Sequence, residues 1–127
     1  MEVRPRETVI LAADFDALVR WYQEALGFAV TQRIEDGFHY CHMQTDSGIR
    51  IGIAAAQEMG VKSVDRANNS VVLQLEVDDL REFFTQVQQR GAAITGGPNF
   101  NQADSFWFGA IADPEGNPIW VVDQNCP

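Results

Sequence analysis

The sequence predicts an α+β protein made of two β-α-β-β-β modules. Three observations carry this. A strand that ends in acidic residues and leads into an amphipathic stretch occurs twice, a glycine stops each amphipathic stretch, and strand-like runs separated by turn signals follow each stop.

In the first copy, Thr8 to Ala12 reads as a strand ending at Asp14 and Asp16. Leu18, Trp21, Tyr22, Ala25 and Leu26 then recur at helical spacing. Asp14 or Asp16 is placed to cap the helix start, because a carboxylate there accepts from backbone amides that have no helical partner. Gly27 marks the stop. Phe28 to Arg33, Phe38 to Gln44 and Ile49 to Ala54 follow as strands, with turns at Asp36-Gly37 and Asp46-Ser47-Gly48.

The second copy repeats the layout. Val71 to Val77 is its strand, Asp78 or Asp79 its cap, Leu80, Phe83, Phe84 and Val87 its helical face, and Gly91 its stop. Ala92 to Thr95, Phe106 to Ala112 and Pro118 to Asp123 are the remaining strands. The modules are expected at about 6–56 and 70–125, joined by a polar linker over 57–69. A second irregular stretch, 96–104, is long for a hairpin connection and is expected to be a loop able to cover a cleft.

The last two strands meet at Asp113-Pro114-Glu115-Gly116-Asn117. Pro114 presets a turn dihedral, the Asp113 carboxylate can accept from nearby amides, and Gly116 and Asn117 tolerate positive φ. Downstream, Ile119 and Val121 alternate with Trp120 and Val122. Both faces of that strand are apolar, and both are expected to be covered.

The bulk composition excludes several classes. A chain of 127 residues with 46% hydrophobic content suffices for a single globular domain. A net charge of -9 and the absence of any Lys/Arg-rich run argue against nucleic acid and anionic membrane surfaces as partners. No segment is long and apolar enough to span a bilayer, and the N-terminal residues lack a signal-peptide core, so the cytoplasm is the expected compartment. Cys41 and Cys126 are far apart and are read as free thiols. No phosphate-cradling glycine loop, nucleophile elbow or close cysteine pair is present, and Asp78-Asp79 reads as a helix cap.

Paired modules of this order, the helix end Trp21-Tyr22-Gln23-Glu24-Ala25-Leu26-Gly27-Phe28 and the Asp113 to Asn117 turn together resemble the vicinal oxygen chelate superfamily, which includes glyoxalase I, extradiol dioxygenases and bleomycin resistance proteins. The resemblance spans nearly the whole chain. It implies mixed sheets that curl to form a cleft. In the enzymatic members, strands of both modules hold a divalent metal there, and the corresponding positions here are Glu7, a residue near Gly52, Val72 and Trp120. Only Glu7 among them could ligate an ion, so the resemblance points to a member with no metal and no cofactor. His39 and His42 are three positions apart on an expected strand and should project to opposite faces.

Strand alternation places Glu7, Val9 and Leu11, then Val72, Gln74 and Glu76, then Trp120 and Val122 on the cleft side. Trp107 or its neighbours Phe106 and Phe108, with Phe100 on the 96–104 stretch, would add aromatic walls. The expected ligand-binding set is Glu7, Val9, Val72, Gln74, Phe100, Trp107 and Trp120. The reading is a metal-independent, bleomycin-resistance-like protein that sequesters a small hydrophobic or aromatic molecule, and superfamily habit suggests a homodimer. Alternatively, Trp120 fills the cleft itself. Two enzymatic alternatives stand beside this. One is a glyoxalase- or dioxygenase-type enzyme with a rearranged metal site using Glu7, His39 or His42 and a residue from a partner chain. The other is a metal-free enzyme in which Glu7 or Glu76, its pKa raised by apolar walls, acts as a general base.

Overall fold

A computed structural model describes residues 1–62 and 66–127. Residues 63–65, part of the expected linker, lie outside the described residues. The chain divides into two compact units, one ending and the other beginning within that stretch.

The first unit holds β1 (Thr8–Ala12), α1 (Phe15–Leu26), β2 (Ala29–Ile34), β3 (Tyr40–Gln44) and β4 (Arg50–Ala55). Its sheet has the order β1-β4-β3-β2, with β1 parallel to β4 and the other pairings antiparallel. Asp14 caps α1 by accepting from the Ala17 amide at 3.2 Å, and Gly27 ends it in the left-handed region at φ 74°. The side chains of Phe15, Leu18, Val19, Tyr22 and Ala25 are buried, as are Cys41, Met43, Ile51 and Ile53 of the sheet. Each such aliphatic side chain contributes about 1.5–3 kcal/mol on leaving water. Tyr22 is fully enclosed, edge-on to Trp21 and Phe28 at centroid distances of 4.9 and 5.8 Å. The strand expected from Phe38 begins at Tyr40, because His39 is turned aside to Glu58.

In the second unit, a short 3-10 turn at Arg66–Asn68 precedes β5 (Leu73–Val77), α2 (Leu80–Gln89), β6 (Ala93–Asn101), β7 (Phe106–Ala112) and β8 (Pro118–Asp123). The order β5-β8-β7-β6, with β5 parallel to β8, repeats the topology of the first sheet. Asp79 caps α2 through the Glu82 amide at 3.1 Å. Leu80, Phe84 and Val87 of α2 are buried along with Leu75, Ile111, Ile119 and Val121 of the sheet. The fold class is therefore α+β with two β-α-β-β-β modules.

One element differs from expectation. The 96–104 stretch is not an irregular loop: β6 runs through it to Asn101, pairing with β7 across register shifts on either side of Gly96. Gly96, Gly97 and Pro98 read as breakers, but β6 is the sheet edge, where a strand tolerates proline and a bulge. Among the described residues, no helix is long and apolar enough to cross a membrane. Cys41 is free and buried, and Cys126 is free and partly exposed.

Candidate functional site

In the second unit, alternation separates two faces of the sheet. Ile119 and Val121 point into the core, whereas Trp120 between them is 53% exposed. The apolar strand expected to be covered on both faces is thus covered on one. Trp120 is in register with Gln74 of β5 and Ala110 of β7, and Val122 with Phe108, so these residues share the open face. There a cavity of about 310 Å³ is lined by Gln74, Asn101, Phe106, Phe108, Trp120, Val122 and Cys126, with further contribution from Gly109 and Val121. Phe106 and Phe108 lie 5.8 Å apart between ring centroids. Aromatic and apolar walls with two amide side chains suit a planar organic ligand: the walls supply contact area and the amides fix orientation.

Of the sequence-predicted site residues, Gln74 and Trp120 meet at this cavity. Phe100 and Trp107 meet elsewhere, as a register pair with centroids 5.2 Å apart, and the guanidinium of Arg81 on α2 lies 4.6 Å from the Trp107 ring. Trp107 shares its face with Gly109, where an added Cβ would run into Phe84 of α2, so this is the helix-facing side. Val72 precedes β5 and is partly exposed. Sequence reasoning did not single out Asn101; its signal was hidden by taking 96–104 for a loop.

Glu7 and Val9 belong to the first unit. Val9 is 49% exposed, in register with Gly52, which is in turn in register with His42. The Glu7 side chain is almost fully buried, and both its oxygens are engaged. Oε2 accepts from the Tyr40 hydroxyl at 2.5 Å, and Oε1 lies 2.8 Å from Nδ1 of His42. The Tyr40 and His42 rings are 4.8 Å apart. Burial alone would raise the Glu7 pKa, but the hydrogen bonds from Tyr40 and His42 and the charges of His42 and Arg50 outweigh it, holding the carboxyl below its ordinary value. The Tyr40 phenol is pushed up to about 12 by burial and by its bond to the Glu7 carboxylate. Gly52 makes the arrangement possible: a Cβ there would collide with both the Tyr40 hydroxyl and the Glu7 carboxylate. Gly52→Ala should therefore cost about 1–3 kcal/mol in thermal or urea unfolding and release the Glu7–Tyr40 bond. Tyr40→Phe in the same background should then cost little more, because the bond it removes is already lost.

Glu7 as a general base with raised pKa is corrected by this geometry, since the shift runs the other way. His39 is apart from the cluster, half exposed and bound through Nδ1 and its amide to Glu58. The chain's residues do not fit the divalent ion held by the superfamily's enzymatic members. Both Glu7 oxygens are taken, and Gly52, Val72 and Trp120 offer no donor atom. Among the described residues, no three His, Cys, Asp or Glu side chains come together.

The glyoxalase-like domain family matches residues 7–122. The chain belongs to that family. No curated protein is similar to this glyoxalase-like chain in sequence. Among solved structures, UcmS2 is 16% identical over 96% of this chain and 98% of that one, with a TM-score of 0.81. TnmS3, an antibiotic binding protein from Streptomyces sp. CB03234, is 16% identical over 97% and 98%, with a TM-score of 0.73. Glyoxalase I from Zea mays is 16% identical with a TM-score of 0.76, over 91% of this chain and 43% of that larger one. At these identities the likeness establishes the glyoxalase-like fold.

Proposed function

We propose that this protein is a metal-independent small-molecule binding protein that sequesters a hydrophobic or aromatic ligand on the open face of the second sheet. The observation that carries the reading is the cavity of about 310 Å³ beside a half-exposed Trp120, walled by Phe106, Phe108 and Val122 with Gln74 and Asn101 as its polar groups. A tryptophan left in water forfeits the gain of burying its ring, and a ligand face stacked on it recovers that gain. A net charge of -9 favours neutral or cationic ligands over anions. The structural likeness to an antibiotic binding protein supports the same reading. Work as a cytoplasmic homodimer belongs to the proposal, and sedimentation velocity checks the dimer.

The test uses phenylnaphthylamine, a neutral fluorescent probe. The native protein should bind it with a blue shift in emission. Trp120→Ala should weaken binding about 10- to 30-fold, as expected for the central aromatic of a binding site, and Phe108→Ala should weaken it as well. Equal affinity for a folded Trp120→Ala variant would remove the cavity as the binding site.

A further inference from the structure

The aromatic cavity of the second unit is edged by a carboxylate. Glu76 of β5 is exposed on the same strand face as Gln74, and it is in register with Val122, a wall of the cavity. Among the described residues no cation and no hydrogen-bond donor engages it. Residues 66–127 carry three basic side chains, all arginine, and each is committed elsewhere. Arg66 pairs with Glu115, Arg81 lies over the Trp107 ring on the helix-facing side, and Arg90 closes α2. The turn between Asn101 and Phe106 adds Asp104 and no basic residue.

The rings beside this carboxylate are open to a ligand. Trp120 is opposite the small Ala110, and Phe108 is opposite Val122, so neither ring is covered by its register partner on the neighbouring strand. Trp120 and Phe108 are exposed by 53% and 37%. Phe106 and Phe108 are tilted 48° to one another, which makes their pair concave rather than flat. The face of an aromatic ring carries the negative end of its quadrupole and attracts a cation placed over it. Asn101 already spends its Oδ1 on the Asp104 amide, whereas Gln74 has no hydrogen-bond partner among the described residues and can turn its carbonyl oxygen to the ligand.

These features separate ligand classes. An anion would meet Glu76 and three ring faces with no cation to offset them. A neutral apolar ligand would fill the cavity but strip water from an unpaired carboxylate, which costs free energy without a compensating partner. An ammonium group bearing alkyl substituents spreads its charge over apolar carbon, so it enters an apolar wall and also pairs with the carboxylate.

We propose that the ligand of this face is an organic cation, a tertiary or quaternary ammonium joined to an aromatic or alkyl body. Trp120, Phe106 and Phe108 hold the cationic head by its alkyl groups, and Glu76 is the residue that selects its charge. The inference rests on the binding role proposed above and names the class of ligand.

The probes are benzyltrimethylammonium and neopentylbenzene, which have the same shape and differ in a charged nitrogen for a carbon. Each competes against phenylnaphthylamine, whose fluorescence reports occupancy. The native protein should prefer the ammonium by about tenfold. Glu76→Gln, checked for folding by circular dichroism, should cut that preference about threefold. Glu82→Gln removes the same formal charge from α2 and should leave the preference unchanged. Phe108→Leu keeps an apolar wall but removes a ring face, and should weaken the ammonium about threefold while neopentylbenzene holds within twofold. Equal affinity for the two probes, or equal losses from Glu76→Gln and Glu82→Gln, overturns the cation assignment while phenylnaphthylamine binding keeps the binding role intact. Failure of phenylnaphthylamine and both probes to bind removes the binding role, and the cation assignment with it.

Discussion

Asp113→Ala is expected to destabilise the second unit by about 3 kcal/mol: its carboxylate accepts at least three hydrogen bonds, a bond to a charged group has a net worth of about 1.5–3 kcal/mol, and the turn amides regain water once the carboxylate is gone, so the three do not add in full. Asp113 is only 4% exposed. Its Oδ1 accepts from the amides of Glu115 and Asn117 at 2.9 and 3.0 Å, and its Oδ2 from the Asn117 side-chain amide at 2.8 Å. The turn also closes through its backbone, with Asp113 N–H bonded to the Asn117 carbonyl and the Gly116 amide to the Asp113 carbonyl, Gly116 holding φ 86°. It further delivers Glu115 to Arg66 at 3.0 Å, in a pair with both side chains largely buried. Loss of the carboxylate therefore loosens the β7–β8 connection, the Glu115–Arg66 pair and the register that sets Trp120 beside Phe108 and Ala110. Urea unfolding followed by circular dichroism measures this. Asp113→Asn keeps one acceptor oxygen and should cost about half as much. A loss under about 1 kcal/mol for the alanine variant would show that the backbone bonds alone hold the turn.

That turn was legible from sequence because its physics is local. The same holds for both helices, whose caps, apolar spacing and glycine stops all lie within a few residues of one another. Pairing across the sheet was less legible. Glu7 meets His42 from 35 positions away because β4 lies between β1 and β3, a strand order that no local pattern reports. Tyr40 and His42 alternate onto one face, yet only the glycine at 52 reveals that this face must hold a carboxylate and a phenol. In β7, alternation separates Phe106 and Phe108 from Trp107, but three consecutive aromatics leave the choice of face to the packing of α2. Phe84 and Arg81 settle it. β6 was hidden because Gly96-Gly97-Pro98 carries the residues of a loop at a sheet edge that tolerates them.

Replacing Glu7 should give the other large effect, and one that depends on pH. Glu7→Ala removes one partner from a largely buried pair and leaves Tyr40 and His42 without it, a loss of about 3 kcal/mol at neutral pH. Glu7→Gln keeps the shape and loses the charge, so the difference between native protein and this variant isolates the carboxylate. The folded-state pKa of Glu7 lies below its ordinary value of 4.5. Between the two values the unfolded chain binds more protons than the folded one, so stability rises with pH across that window. The contribution is complete above 4.5 and is lost as pH falls through the folded value. Tyr40, pushed up to about 12, stays protonated throughout this range and keeps donating, so it does not offset the loss. Denaturation midpoints of native protein and Glu7→Gln should therefore differ most at neutral pH and converge as the solution is taken below 4.5. A difference that stays constant from neutral to acid would mean that the carboxylate gains nothing from Tyr40, His42 and Arg50 in solution.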